Sequence, residues 1–267
     1  MMCLLEVAVC ALTNVPSVSQ RTDGRHSLAY LYPMKRVSAA NSLLAALTHR
    51  SYQLLLPRLE PVTLKFGDVL YRPRETIRHV YFPSGCMVSL LALADGHRAL
   101  EVGLVGCEGM LGIPLTLGVR ESPVRALVQG SGTALRMKSS LFLDELRRNP
   151  PLQRAVSRYT YDLMVQVTQT AACNRFHQVE ARLARWLLMA RDRMRSNEFR
   201  LTQDMLSNML GVLRVAVTTA ASTLQRRKLI RYTRGVIRIL DNKALEAIAC
   251  RCYQIVKDKG CPALQRA

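Results

Sequence analysis

The chain has 267 residues, 49% hydrophobic and 21% charged. That is enough to bury one large core or two smaller ones, and it excludes a disordered polar tail, a collagen-like repeat and a disulfide-held miniprotein. No run approaches the roughly 20 unbroken apolar residues of a membrane helix, and Lys plus Arg number 38 against 19 Asp plus Glu, a formal charge of +19, so the expected partner is a polyanion, nucleic acid first, and not a membrane.

In chain order, Met1–Leu12 is apolar, but Glu6 interrupts it, and neither a basic start nor a small-residue cleavage site frames it. It is not read as a signal peptide. Residues 1–33 are expected to form a poorly ordered extension ahead of Met34, an alternative start, in a cytoplasmic protein. Leu43, Leu44, Leu47, Leu54 and Leu55 predict one or two short helices ending at Pro57. From Pro61 to Met137 the period falls to two, in Val62-Leu64-Phe66, Val80-Phe82, Val88-Leu90, Leu100-Val102-Leu104 and Ala126-Val128. Gly-Asp, Pro-Ser-Gly, Ala-Asp-Gly and Gly-Ser-Gly punctuate these runs, which predicts an antiparallel β-roll of jelly-roll type.

After Ser139 the period lengthens, and Leu152, Val156, Tyr159, Leu163, Val167 and Thr170 recur at steps of three and four. They predict one helix of some five turns, whose stripe is expected to form a homodimer seam; packing back onto the roll is the alternative. A second helix is predicted over His177–Met194, with Val179, Leu183, Trp186, Leu187 and Ala190 inward. The fold class is therefore α+β, with expected divisions at 34–149 for the roll, 150–175 for the dimerisation helix, 176–253 for a DNA-binding domain and 254–267 for a tail.

Residues 203–222 carry the functional signal. A helix-turn-helix needs a small residue where its helices meet, a glycine to turn sharply and a buried aliphatic in the second helix; Ser207, Gly211 and Val217 stand at those offsets. Thr202 is the expected N-cap of the first helix, with Asp204 in its first turn. The stretch Gln225–Asp241 then reads as a basic helix end and two strands around Thr233-Arg234-Gly235, a wing. The second helix of such a module enters the major groove, so Arg214, Val215, Thr218 and Thr219 are the expected base readers. Thr202, Arg226, Arg227, Lys228, Arg231 and Arg234 are the expected phosphate contacts. Between Arg175 and Arg238, fourteen basic residues face only Glu180, Asp192, Glu198 and Asp204, so the anion-binding character lies in this part.

The eight cysteines lack a Cys-x-x-Cys pair, and the one Cys-x-Cys, Cys250 and Cys252, has no partner pair or histidine at zinc-finger spacing. They are read as free buried thiols, with no metal and no cofactor expected. His49, His79, His97 and His177 fall in no catalytic or ligand spacing, and neither a phosphate-binding glycine loop nor a GxSxG elbow occurs, so no enzyme is expected.

From about Leu54 to Tyr253 the sequence resembles the Crp/Fnr transcription regulators, through the roll stretch Val69–Gly112, the phrase Val179-Glu-Ala-Arg-Leu-Ala-Arg-Trp-Leu-Leu and the winged helix-turn-helix, all in the family's order. Tyr81-Phe82-Pro83 and Glu101-Val102-Gly103 suggest a particular branch. The resemblance implies a cyclic-nucleotide-binding-like sensor roll, a homodimer on a near-palindromic operator in double-stranded DNA, and contact with RNA polymerase. Members that bind cyclic nucleotide carry Gly-Glu and Arg-Ser or Arg-Thr pairs, whereas the nearest stretches here are Leu111-Gly112-Ile113 and Glu121-Ser122-Pro123. Cyclic-nucleotide binding is therefore not expected; any ligand pocket would draw on Gly112, Ile113, Arg120, Glu121, Ser122 and Arg125. The family's frequent Arg-Glu at the start of the recognition helix is Arg214-Val215, and its later Arg is Thr219, which implies a different half-site. The N-terminal cysteine set of oxygen-sensing members is missing, so no iron–sulfur sensor is expected. The alternatives are a ligand-binding signalling module that engages a protein partner, or a regulator that does respond to cyclic nucleotide or redox state.

Overall fold

The computed structural model describes residues 41–93 and 99–259, so the extension expected at 1–33, and His97, lie outside the described residues. Two short helices, α1 (Ser42–Ala45) and α2 (His49–Leu55), start at side-chain caps: Asn41 Oδ1 accepts from the Leu44 amide at 3.1 Å and Thr48 Oγ1 from the Ser51 amide at 3.3 Å.

Seven strands follow: β1 (Glu60–Leu64), β2 (Val69–Tyr71), β3 (His79–Pro83), β4 (Met87–Leu93), β5 (Ala99–Val105), β6 (Arg125–Gly130) and β7 (Gly132–Lys138). They form two antiparallel sheets, ordered β1-β7-β3 and β2-β6-β4-β5. The period-two pattern explains which face is inside: Val80 lies opposite Met137 and Phe82 opposite Leu135, and all four are buried, while His79 and Tyr81 between them are only partly covered. Phe66, expected to continue β1, instead sits half exposed in the turn that Asp68 closes by accepting from the Lys65 amide at 2.8 Å.

Helix α3 (Ser139–Arg148) leads to α4 (Pro150–Phe176), 27 residues and about seven and a half turns, where the predicted stripe alone spans some five. Asn149 caps it from the Leu152 amide at 3.3 Å, and two prolines occupy its first turn, where their missing N–H groups cost nothing. The expected seam is corrected here. Leu152, Val156 and Tyr159 are buried in the roll core of the same chain, and Leu163 packs against that core. Glycine makes this docking possible: a Cβ at Gly109 would stand 1.9 Å from the Tyr159 ring. Thr170 is also taken, since its Oγ1 accepts from Arg185 at 2.7 Å and donates to the Gln166 carbonyl at 2.8 Å. Of the predicted stripe only Val167, at 37% exposure, faces outward, beside a different line of exposed residues, Tyr161, Met164, Thr168 and Ala171.

Helix α5 (Val179–Met194) is buried over nearly its whole length, because the roll covers one side and the C-terminal module the other. Three polar contacts fasten α4 and α5 to β5 and the loop after it. Trp186 Nε1 donates to Glu101 Oε1 at 2.7 Å, Arg193 pairs with Glu108 at 2.9 Å with both side chains buried, and the Gln166 amide bonds both the N–H (2.7 Å) and the C=O (3.1 Å) of Leu104. Burial pushes the Glu101 carboxyl up to about 7, although Ser89, Trp186, Arg185 and Arg193 all favour its charged form.

The remaining elements are β8 (Glu198–Arg200), α6 (Gln203–Leu210), α7 (Arg214–Arg226), β9 (Ile230–Thr233), β10 (Val236–Ile239), α8 (Asn242–Ile248) and α9 (Cys252–Lys259), with a small antiparallel sheet ordered β8-β10-β9. Strand β8 was not expected, and residues 254–259, expected to be tail, belong to α9. A second apolar core joins α5 to these elements through Leu183, Leu187, Leu206, Val217, Leu224 and Leu245. No single described helix is long and apolar enough to cross a membrane.

Candidate nucleic-acid interface

Helices α6 and α7 meet at 105°. Thr202 caps α6, its Oγ1 accepting from the Met205 amide at 3.2 Å, and Gly211 ends it at φ +61, where its N–H bonds back to the carbonyls of Asn208 and Ser207. A left-handed residue is needed there to reverse the chain, which is the physical content of the glycine offset. The same Gly211 faces the roll: a Cβ would come within 2.6 Å of Leu100 Cδ1.

Helix α7 divides cleanly into two faces. Val217, Ala220, Ala221 and Leu224 are buried, and Arg214, Val215, Thr218, Thr219 and Ser222 are exposed on the other side. The structure therefore brings all four expected base readers onto one surface, with Val215 68% exposed although apolar. Thr219 donates to the carbonyl four residues back at 3.0 Å, and the single hydroxyl proton of Thr218 is shared between the Arg214 carbonyl at 3.0 Å and Gln203 Oε1.

The sequence reading missed Gln203. Its Oε1 accepts from Arg214 Nε at 3.3 Å and from Thr218 Oγ1 at 3.0 Å, and Asp204 pairs with Arg214 at 3.3 Å. The first turn of α6 thus orients the first side chain of α7. The signal is the pair Gln203-Asp204 directly after the cap, which places two side-chain acceptors in the first turn of α6.

The expected phosphate contacts, Thr202, Arg226, Arg227, Lys228, Arg231 and Arg234, are all exposed around this face. Arg227 is partly neutralised by Glu180 at 3.4 Å, and Arg226 donates to Thr223 Oγ1 at 3.3 Å. The wing is the β9–β10 hairpin. Arg234 and Gly235 at its tip have φ +49 and +75, the left-handed pair of a two-residue hairpin turn whose twist matches the strands.

The expected ligand-pocket residues fall in two groups. Gly112 and Ile113 are buried beside Val80, at the start of a 3-10 turn over Ile113–Leu117. Arg120 and Glu121 are exposed; Glu121 pairs across to Thr76, and the buried Ser122 hydroxyl donates to the Val124 carbonyl at 2.7 Å. Arg125 opens β6 half-buried, its Nε without a hydrogen-bond partner.

The five described cysteines are free and buried, as expected. His177, by contrast, is not isolated: Cys173, His177, Cys250 and Cys252 converge, because the CxxxH spacing places two side chains one turn apart at the end of α4 and α9 packs against that turn.

A family model, the Crp-like helix-turn-helix domain, matches residues 181–248. No curated protein matches the sequence significantly. Among solved structures, a protein assigned to the Crp/Fnr family of transcriptional regulators from Eubacterium rectale superposes with a TM-score of 0.62 at 17% identity, covering 79% of this chain and 98% of that one. The cyclic-di-GMP-responsive global regulator CLP of Xanthomonas campestris gives 0.60 at 16%, over 73% and 100%. FixK2 of Bradyrhizobium japonicum gives 0.58 at 14%, over 72% and 98%. Residues 181–248 are therefore a Crp-like helix-turn-helix domain, and the chain that carries it has the fold of the Crp/Fnr transcription regulators.

Proposed function

We propose that this protein is a sequence-specific DNA-binding transcription regulator that acts as a homodimer on a near-palindromic operator. The observation that carries the reading is the divided α7: an apolar face anchored in the second core, and an exposed face of Arg214, Val215, Thr218 and Thr219 framed by cations at the helix end and wing. Arg214 has the fork to engage guanine O6 and N7, Val215 suits a thymine methyl, and the surrounding arginines suit phosphates. Two such helices read successive major grooves about 34 Å apart.

The seam of that dimer is the outward line Tyr161, Met164, Thr168 and Ala171, whose steps of three, four and three follow a heptad. Tyr161 and Met164 are 53% and 61% exposed, which an apolar pair on a helix tolerates best against a second copy. The roll acts as a sensor or scaffold that does not take cyclic nucleotide. The exposed Glu121 would repel a cyclic phosphate, and the Ser122 hydroxyl is already committed to Val124. Contact with RNA polymerase and a cytoplasmic location follow from the same reading.

The test is selection from a randomised DNA pool by the purified protein, with the winners compared against random DNA across a salt series. An inverted repeat bound at least about a thousandfold better than random DNA at physiological salt is expected. Absence of any consensus, with binding that vanishes as salt rises, would overturn it.

A further inference from the structure

The end of α4 and the start of α9 hold three thiols and an imidazole that the DNA-reading surface does not use. Cys173, Cys250 and Cys252 are buried and His177 is partly exposed. Cys173 Sγ lies 3.3 Å from Cys250 Sγ, Cys252 Sγ lies 3.6 Å from His177 Nδ1, and the four ligand atoms all fall within 4.8 Å of one another. Around a tetrahedral zinc ion, arms of about 2.3 Å to sulfur and about 2.0 Å to nitrogen place neighbouring ligand atoms roughly 3.5–3.8 Å apart. The constellation is therefore near tetrahedral size, with donors of the borderline-soft kind that zinc prefers.

A second observation concerns charge. Arg182 and Arg185 on α5 are buried at 6% exposure, and among the described residues neither makes an ion pair with a carboxylate. Their terminal nitrogens reach Asn174 at 2.8 Å and Thr170 at 2.7 Å, while both Nε atoms are buried without a hydrogen-bond partner. A buried cation is expensive unless something nearby is negative.

We propose that Cys173, His177, Cys250 and Cys252 form a Cys3His site for zinc(II). Binding replaces three thiol protons with three sulfur–zinc bonds and adds one from neutral His177, so three protons leave and the filled site carries a charge of −1. That charge would stand beside the buried Arg182 and Arg185, neither of which has a carboxylate within ion-pair distance among the described residues. His177 is also an extended residue of the joint between α4 and α5, so the ion would fasten this joint to the entry of α9.

The full-length protein is purified under reducing conditions without chelator from zinc-supplemented cells, and its metal content is measured. About one zinc per chain is expected. Zinc replaced by cobalt(II) should show the intense visible bands of a tetrahedral sulfur-rich site, with a thiolate-to-metal charge-transfer band. Cys173→Ser and Cys252→Ser should lower metal content at least tenfold, whereas a Cys86→Ser/Cys107→Ser variant should keep it. Should the site variants fail to fold, the cobalt spectrum of the unaltered chain decides. The proposal is overturned by a folded protein without metal, by a Cys173–Cys250 disulfide in its place, by bound iron and sulfide, or by a six-coordinate cobalt spectrum.

Discussion

Trp186 Nε1 donates a 2.7 Å hydrogen bond to Glu101 Oε1, so a residue of α5 in the DNA-binding half and a residue of β5 in the roll share one buried polar contact. Ser89 donates to the other carboxylate oxygen. Both donors are neutral, and the guanidiniums of Arg185 and Arg193 act from the same helix as Trp186. The carboxyl at this junction is raised from 4.5 to about 7 by burial.

Because the folded-state pKa is raised, the folded protein binds the proton more tightly than the unfolded chain. This contribution is complete below pH 4.5 and is lost as pH rises through about 7. The loss amounts to about 3 kcal/mol, at about 1.4 kcal/mol per unit. Glu101→Gln should flatten that part of the profile, measured by urea unfolding between pH 5 and pH 8, roughly the window set by the two values. An unchanged slope would place the titration elsewhere.

Arg214→Ala should cost about 1–3 kcal/mol on the selected site and relax base preference at one position of each half-site. Arg227→Ala should weaken selected and random DNA alike and lower the salt slope by about one. Fluorescence anisotropy across a salt series separates the two; equal losses on both DNAs for Arg214→Ala would remove its base-reading role.

Met164→Glu places a charge on the outward line of α4 and should raise the dimer dissociation constant about 100-fold, about 2.7 kcal/mol, read by sedimentation equilibrium. Val156→Ala, one face over, should leave association unchanged and destabilise the protomer by about 2 kcal/mol. The reverse pattern would restore Val156 to the seam.

Gly211→Ala combines a left-handed backbone with a contact 2.6 Å from Leu100. The strain of the φ alone is about 1–2 kcal/mol, and thermal unfolding should show at least that loss. A neutral outcome would mean that the turn can move away from the roll.

The elements legible in the sequence are those whose periodicity is local. The alternation in Val80-Phe82, the capped start at Thr202 and the glycine at 211 each specify their own conformation, and the strands, α6 and its turn form where those signals lie. What the sequence hid depends on distant partners. The stripe Leu152-Val156-Tyr159 has the same spacing whether it meets a second copy or its own roll, and only Gly109, about 50 residues earlier in sequence, shows which. Gln203 orients Arg214 across an eleven-residue gap. Cys173 and Cys250 lie 77 residues apart, beyond any spacing rule for ligand pairs. Glu101 carried no visible role until Trp186 stood over it.

Helix α4 also has a mechanical meaning. The roll grips it as far as Gln166, through Leu152, Val156, Tyr159, Leu163 and the paired Gln166–Leu104 bonds, and it runs unbroken on to Phe176, a further span of about 15 Å at 1.5 Å per residue. A rigid rod of that length converts a tilt of about 5° at its foot into about 1 Å of travel at its tip. A repacking around Gln166 too small to alter the sheets would thus be delivered to the joint at His177, where the chain enters α5 and the helix-turn-helix half.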